Sequence, residues 1–376
     1  MRVLVTTVGL VGHIFPLVSI AHALRAAGHE ILWATPQPEL VAKAGLSAFD
    51  PAPGVNPMEI IQSVLAKYGL GFEISRDEYA KEVEMGGELL ARLGEVTIDR
   101  TVAVARNWRP DLVLYDELQP AGPLIASKFG VPAVEQVLSV CGYREIRDGM
   151  RQHLDEVYDR HEVVGAPERS ALLDTRPPSM RQQDFGGWSM RLVPHSGSSV
   201  LPDWLLEPPS RRRVAITLGT TTPGFMDLGA FRTVIEAAGQ VDAEFVLATG
   251  DADISGFGEL PGNVRAAGWV PLHALLSTCD SMIHHVGGGT ALTGLTAGVT
   301  HLTMPVSADS WQVSEQIIKR GLGLEAAAPD EVNAEMIRAV LFDKSMRTAA
   351  NEVRTEIAAM PSPADLVPRL EELAGR

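Results

Sequence analysis

Ser281-Met282-Ile283-His284-His285-Val286-Gly287-Gly288-Gly289-Thr290 carries an apolar segment directly into three consecutive glycines. Residues 281–284 predict a buried strand, the glycines a tight turn, the residues through Ala297 a helix, and residues 300–304 the next strand. That is a βαβ unit, the element from which parallel sheets are built. Three glycines let backbone amides approach a ligand closely, and amides at a helix N-terminus favour a diphosphate. Thr290 adds a hydroxyl, and His285 a ring donor that would serve best protonated. A tight packing turn is the bland alternative; the two histidines before it and the threonine after it favour phosphate.

The same scheme recurs on either side. Residues 213–218 (RVAITL) read as a strand, 219–224 as a loop, 228–238 as a helix and 244–249 as a strand. Thr220 and Thr221 are expected to face the same crevice from that loop. At the other end, residues 2–7 (RVLVTT) form a β-branched run suited to a central parallel strand. Pro16 then opens a helix with Leu17, Ile20, Ala21 and Leu24 on one face, and Gly28 stops it before a strand at 30–34. Further on, Arg109-Pro110 breaks a long charged helix, 111–115 read as a buried strand and 120–129 as its helix. The chain therefore divides into two Rossmann-like halves, residues 1–200 and 201–360. Their join lies within 193–209, where Pro194, Gly197, Pro202, Pro208 and Pro209 concentrate. Residues 333–374 read as helical with one interruption at 361–363.

Composition agrees with two α/β domains: 376 residues, 45% of them hydrophobic, exceed what one core usually holds. The net charge of -15, with basic residues clustered only at Arg211, Arg212 and Arg213, argues against nucleic acid as a partner. Cys141 and Cys279 form no metal-binding spacing and read as reduced thiols. The short apolar start lacks the pattern of a signal or membrane span, so a soluble, cytoplasmic protein without stable membrane insertion is expected.

Ligands in open α/β sheets bind outside the carboxyl ends of the strands, which is where His13 follows the first strand. Imidazole titrates near neutrality and can take a hydroxyl proton, although a loop or capping histidine has roughly even odds from position alone. Asp116 ends another strand and could hold the second ring nitrogen; Asp111 belongs rather to that strand's start. Asp309, after Pro305, could accept from sugar hydroxyls, and Trp269 could flank a nucleobase. Asp251-Ala252-Asp253 resembles a metal motif but reads as an Asx-type turn, and no metal is assigned.

Taken together, Gly12-His13 with Pro16, LVLYD ending in Asp116, LPDWL (201–205), GWVPL (268–272), HHVGGGT (284–290), TGLTAGV (293–299) and MPSPA (360–364) resemble glycosyltransferase family 1. The closest likeness within it is to bacterial enzymes that glycosylate antibiotics and other polyketide-type products. This resemblance covers the whole chain. It implies the GT-B fold, two Rossmann-like domains facing a central cleft, with a C-terminal helix at about 361–376 crossing back to the N-terminal domain. It further implies a donor in the second domain, an acceptor in the first, and metal-independent inversion, with no cofactor besides a nucleotide-sugar co-substrate, a dTDP-deoxysugar. His13 would be the base and Asp116 its partner. His285, Gly287, Gly288, Gly289 and Thr290 would meet the pyrophosphate, with Trp269, Val270, Asp309 and Ser310 as further donor contacts. Two departures stand out: Ser310 occupies the place of a glutamine in plant relatives, and Val286 that of a glycine, where its side chain would shift the diphosphate loop.

The acceptor region, residues 51–85, carries Met58, Tyr68, Phe72, Tyr79 and Met85, a composition that suits an apolar polycyclic or macrocyclic aglycone. A homodimer or a helper protein is compatible with the resemblance. Rival readings are fewer. A nicotinamide oxidoreductase would need GxGxxG where Gly9-Leu10-Val11-Gly12 stands, and an acidic residue near Ala34-Thr35. A sugar-nucleotide epimerase shares the fold, and a non-catalytic sugar-nucleotide binder would keep the glycine cradle but need no base.

Overall fold

The computed structural model of the chain describes residues 1–69, 78–219, 231–250 and 252–375. Two all-parallel sheets form. The first joins β1 (Arg2–Thr6), β2 (Glu30–Ala34), β3 (Ala48–Phe49), β4 (Leu112–Asp116), β5 (Ala133–Gln136), β6 (Ser170–Asp174) and β7 (Trp188–Ser189) in the order β3-β2-β1-β4-β5-β6-β7. The second holds β8 (Arg213–Thr217), β9 (Glu244–Ala248), β10 (Val264–Ala266), β11 (Ser281–His284), β12 (Thr300–Thr303) and β13 (Gly323–Glu325) in the order β10-β9-β8-β11-β12-β13. The central strands are apolar because helices cover both faces: Val3, Leu4 and Val5 of β1 are fully buried, as are Val214 and Ala215 of β8.

Each sheet reverses its winding at one place, between β1 and β4 in the first and between β8 and β11 in the second. Such switch points open a crevice at the strands' carboxyl ends. His13 and Asp116 flank the first crevice, and Gly219 and His285 the second.

The helix Val11–Ala26 begins before Pro16 rather than at it. Pro16 is the sixth residue of this helix, and its missing N–H deprives the Gly12 carbonyl, on the cleft side, of its usual partner, while His13 becomes a first-turn residue. On its outer side packs the last helix, Pro363–Leu373, whose Leu366, Val367 and Leu370 join the core of the first half. The chain thus returns to its beginning, as the GT-B fold requires. The C-terminal region also breaks once more than its sequence pattern suggests, at Asp343, whose carboxylate caps the helix Lys344–Ala359 by accepting from Ser345 and Met346 N–H. Pattern reading had no clear signal for β3, β7, β10 and β13, which are two- or three-residue edge strands.

Candidate active site

In the first half, β1 ends at Thr6 and the helix Val11–Ala26 starts four residues after Thr7, placing His13 over the end of β4. Its Nδ1 lies 3.0 Å from Oδ1 of Asp116. Asp116 is fully buried, and its oxygens also accept from Leu118 N–H (3.0 Å) and Val8 N–H (2.9 Å). A carboxylate only accepts, so the proton sits on Nδ1 and Nε2 keeps a free lone pair. The ring is 14% exposed, so that lone pair is within reach of a ligand. Asp111 lies at the other end of β4, accepting from Arg2 N–H at 2.8 Å.

Between the halves runs a cleft of about 1090 Å³, open solvent included. Gly12, Phe15 and Pro16 line it from one side; Trp269, Val270, His285, Gly287, Gly288, Gly289 and Thr290 line it from the other. Pro194, His195 and Ser196 of the linker line it as well. His195 packs edge-on to Phe15 at 4.8 Å between ring centroids, and a Cβ on Gly197 would come within 3.2 Å of Trp269 Nε1. Burial, with His22 and His273 nearby, holds the His195 imidazole below its usual range.

The ring of His285 occupies the space under two turns. A Cβ at Gly219 (φ 72°) would stand 2.4 Å from its Cε1, and one at Gly287 2.7 Å from its Nε2, so neither turn tolerates a side chain. His285 donates to the Thr217 backbone, and its buried Nδ1 has no partner. Burial pushes its imidazole down to about 4 despite Thr217 and Asp309. This corrects one expectation: His285 is neutral near pH 7 and offers no charged donor.

Its neighbour His284 is fully buried. Nδ1 accepts from Val286 N–H at 3.2 Å, so Nε2 carries the proton and donates to His301 Nδ1 at 2.9 Å. Val286 adopts φ 70°, a left-handed conformation costly for a β-branched residue. Its side chain is fully buried among Val140, Leu192, Ala291 and Leu295, which together with the His284 bond holds the turn. The valine is thus directed into the core and away from the diphosphate turn.

Asp309 opens the helix Ala308–Lys319; one oxygen takes the Ser307 hydroxyl and the other lies 3.2 Å from the Tyr143 hydroxyl of the opposite half. Ser310 departs from expectation. Its Oγ accepts from Val306 and Ser307 N–H, both at 2.9 Å, and donates to Ser307 O, so the capping box consumes it and no bond is left for a donor.

Of the expected acceptor residues, Tyr68 donates to Glu88 at 2.9 Å and Met85 packs on Val64, so both tie the helices Pro57–Tyr68 and Tyr79–Trp108 together. Tyr79 donates to Glu145 and accepts from Gln312 at 2.6 Å, bridging the halves, and Met58 is exposed. Phe72, Thr220 and Thr221 lie outside the described residues. An apolar hollow of about 420 Å³ is lined instead by Val8, Leu10, Pro36, Val55, Ile60 and Leu93 among others. Leu10 lines this hollow, Val11 and Gly12 line the cleft, and His13 follows them in the chain.

Sequence reasoning missed Glu117, Tyr143 and His301. Glu117 is buried beside Asp116, accepts from Leu138 N–H (2.7 Å) and Tyr143 N–H (3.0 Å), and is pushed up to about 7 by burial. Two adjacent carboxylates ending an apolar strand were the available signal. His301 had none, because its partner is 17 residues away. The suspected metal motif is a turn at Asp253, which accepts from Ser255 N–H at 2.9 Å, and among the described residues no cluster could hold a metal. The basic run is absorbed by Asp242, Asp280 and Glu244. No helix among the described residues is long and apolar enough to cross a membrane.

Two family models match the chain. Residues 22–219 match the N-terminal domain, and 232–373 the C-terminal domain, described as erythromycin biosynthesis protein CIII-like. The chain is 35% identical to the elloramycin glycosyltransferase of Streptomyces olivaceus, covering 100% of this chain and 98% of that protein. It is 34% identical to the tylactone mycaminosyltransferase of Streptomyces fradiae, covering 99% and 92%. The crystal structure of the glycosyltransferase SnogD from Streptomyces nogalater superposes with a TM-score of 0.86 at 38% identity, covering 100% and 99%. That of SsfS6 from Streptomyces sp. SF2575, complexed with thymidine diphosphate, gives 0.84 at 30% identity, covering 99% of each chain.

Proposed function

The chain belongs to the erythromycin biosynthesis protein CIII-like family of GT-B glycosyltransferases, and from that premise we propose that it moves a deoxysugar from a dTDP-sugar to an apolar natural-product aglycone with inversion. The observation that carries the mechanism is the 3.0 Å contact of His13 with the buried Asp116. Asp116 fixes the tautomer and stabilises the imidazolium that forms when Nε2 takes the acceptor's hydroxyl proton. The deprotonated oxygen attacks the anomeric carbon from the face opposite the diphosphate, which leaves with the bonding electrons. Amides at the start of the helix Gly288–Ala297 and the Thr290 hydroxyl receive the developing charge on that diphosphate. Trp269, 39% exposed on the cleft wall, offers the nucleobase a face, and Asp309 accepts from the sugar. The hollow takes the aglycone; its apolar lining suits a ring system.

Support for the donor comes from the thymidine diphosphate held by SsfS6, and for the acceptor from relatives named for antibiotic aglycones. The test is thermal stabilisation by dTDP and UDP, followed by transfer from dTDP-sugars to a panel of polyketide aglycones. A ~100-fold excess of dTDP over its Kd adds about 2.7 kcal/mol of stability, and the product's anomeric configuration, read by NMR, should be inverted. Stabilisation by UDP alone would overturn the donor assignment, and a retained configuration would overturn the direct displacement.

A further inference from the structure

The linker's His195, the arginines at the buried Asp174 and the loop at residues 138–143 each hold groups without an assigned role, and the loop carries the furthest. It belongs to the acceptor half yet lies on the donor half's glycine turn. A Cβ on Gly288 would come within 3.0 Å of Ser139 Cβ, 3.1 Å of Leu138 O and 3.1 Å of the Tyr143 hydroxyl. Glu117 anchors the loop at both ends through Leu138 N–H and Tyr143 N–H. The Tyr143 hydroxyl in turn reaches Asp309 at 3.2 Å.

We propose that Tyr143 is a sugar-positioning residue, which reads the donor sugar jointly with Asp309 across the domain boundary. This rests on the nucleotide-sugar reading of the cleft. The hydroxyl lies beside the first residue of the helix that receives the diphosphate, and therefore next to the group attached to that diphosphate. Tyr143 gives its proton to Asp309 and keeps an acceptor lone pair; Asp309 keeps unused lone pairs on both oxygens. Together they present only acceptors. They select a sugar edge that supplies hydroxyl or ammonium protons and reject one that is deoxygenated there, because a buried acceptor left unpaired is costly. Consecutive carboxylates thereby serve both substrates: Asp116 holds the base for the acceptor, and Glu117 holds the loop for the donor sugar.

Tyr143→Phe tests this, since it removes one hydroxyl and leaves the ring packing intact. Calorimetry with dTDP and with dTDP-glucose should show dTDP affinity within twofold of wild type. Affinity for dTDP-glucose should fall roughly 5- to 10-fold, the scale of one neutral hydrogen bond. Unchanged dTDP-glucose affinity would overturn the proposal. An equal loss for both ligands would also overturn it, because the hydroxyl would then only fasten the two halves. A wild-type chain that binds dTDP but not dTDP-glucose would sink the sugar reader and leave the donor reading standing. A wild-type chain that binds neither would overturn the donor reading and this proposal with it.

Discussion

His13 and His285 stand on opposite sides of the two switch points: His13 follows β1, whereas His285 follows β11, the strand placed in the second sheet as β4 is in the first. Their surroundings differ. His13 has a buried carboxylate on Nδ1, itself held by two backbone N–H groups, whereas His285 has a backbone carbonyl and an empty Nδ1. Among the described residues, His284 and His301, behind it, hydrogen-bond to each other, and His284 also accepts from Val286 N–H. Burial pushes His301 down to about 3 and His284 well below the usual range. One half therefore holds a histidine able to gain a proton next to a counter-charge, and the other holds three kept neutral by burial. Topology sets where a histidine stands, and its partner sets what chemistry it can do.

The largest expected effect breaks the acceptor side of this contrast. His13→Ala should reduce transfer to an aliphatic hydroxyl by ~100-fold or more, the scale of general-base catalysis, with dTDP affinity barely changed. Asp116→Asn should fall between that variant and wild type, since the imidazole remains but its tautomer is no longer enforced. Single-turnover rates decide this, and a His13→Ala rate equal to wild type would reduce His13 to a structural residue. An acceptor that is already acidic, such as a phenol, should lose less.

A second experiment addresses the neutral cluster through stability. With the folded pKa of His301 near 3 and the unfolded value near 6.5, the unfolded chain binds more protons between those limits. Stability must then rise with pH through that window and be lost as pH falls below about 6.5. This one group should cost ~2 kcal/mol by pH 5. His301→Asn keeps an amide oxygen for the His284 proton but cannot titrate. Unfolding free energies from urea titration at pH 7.5 and pH 5 should lie closer together in the variant by that amount. An unchanged difference would mean that His301 is not held neutral.

The smallest effect sharpens the diphosphate side. Because His285 is neutral and gives its only proton to the Thr217 backbone, it acts on the diphosphate through the turns at Gly219 and Gly287 that its ring supports, and His285→Ala should weaken dTDP by roughly 2- to 10-fold at pH 7.5. A loss above about 30-fold would show instead a charged ring on the diphosphate. Binding of dTDP should not depend on His285 protonation between pH 6 and 8, since its titration lies near 4.

How legible these features were depends on the range of the interaction that makes them. Strands β1, β2, β4, β8, β9, β11 and β12 could be read because a doubly covered strand must be continuously apolar over a few residues. His13, Asp116 and the glycines at 287–289 could be read because strand ends and glycine turns mark the binding rim locally. The start of the helix at Val11 was misread, since Pro16 is a strong local signal for an N-terminus that the fold places five residues earlier. Ser310 was misread because capping geometry, rather than its neighbour Asp309, decides where its hydroxyl points.

By itself, then, the sequence determined the two parallel α/β halves, the carboxyl-end rim at which His13 stands, and Asp116 as its candidate partner. These follow from periodicity and from residues adjacent to strand ends. Only the tertiary structure decided that His285 is neutral, that Val286 turns into the core, that Glu117 anchors the loop at 138–143 and that Tyr143 meets Asp309, 166 residues away. Protonation follows from burial, and a hydrogen bond from proximity; both are set by parts of the chain that sequence order does not bring together.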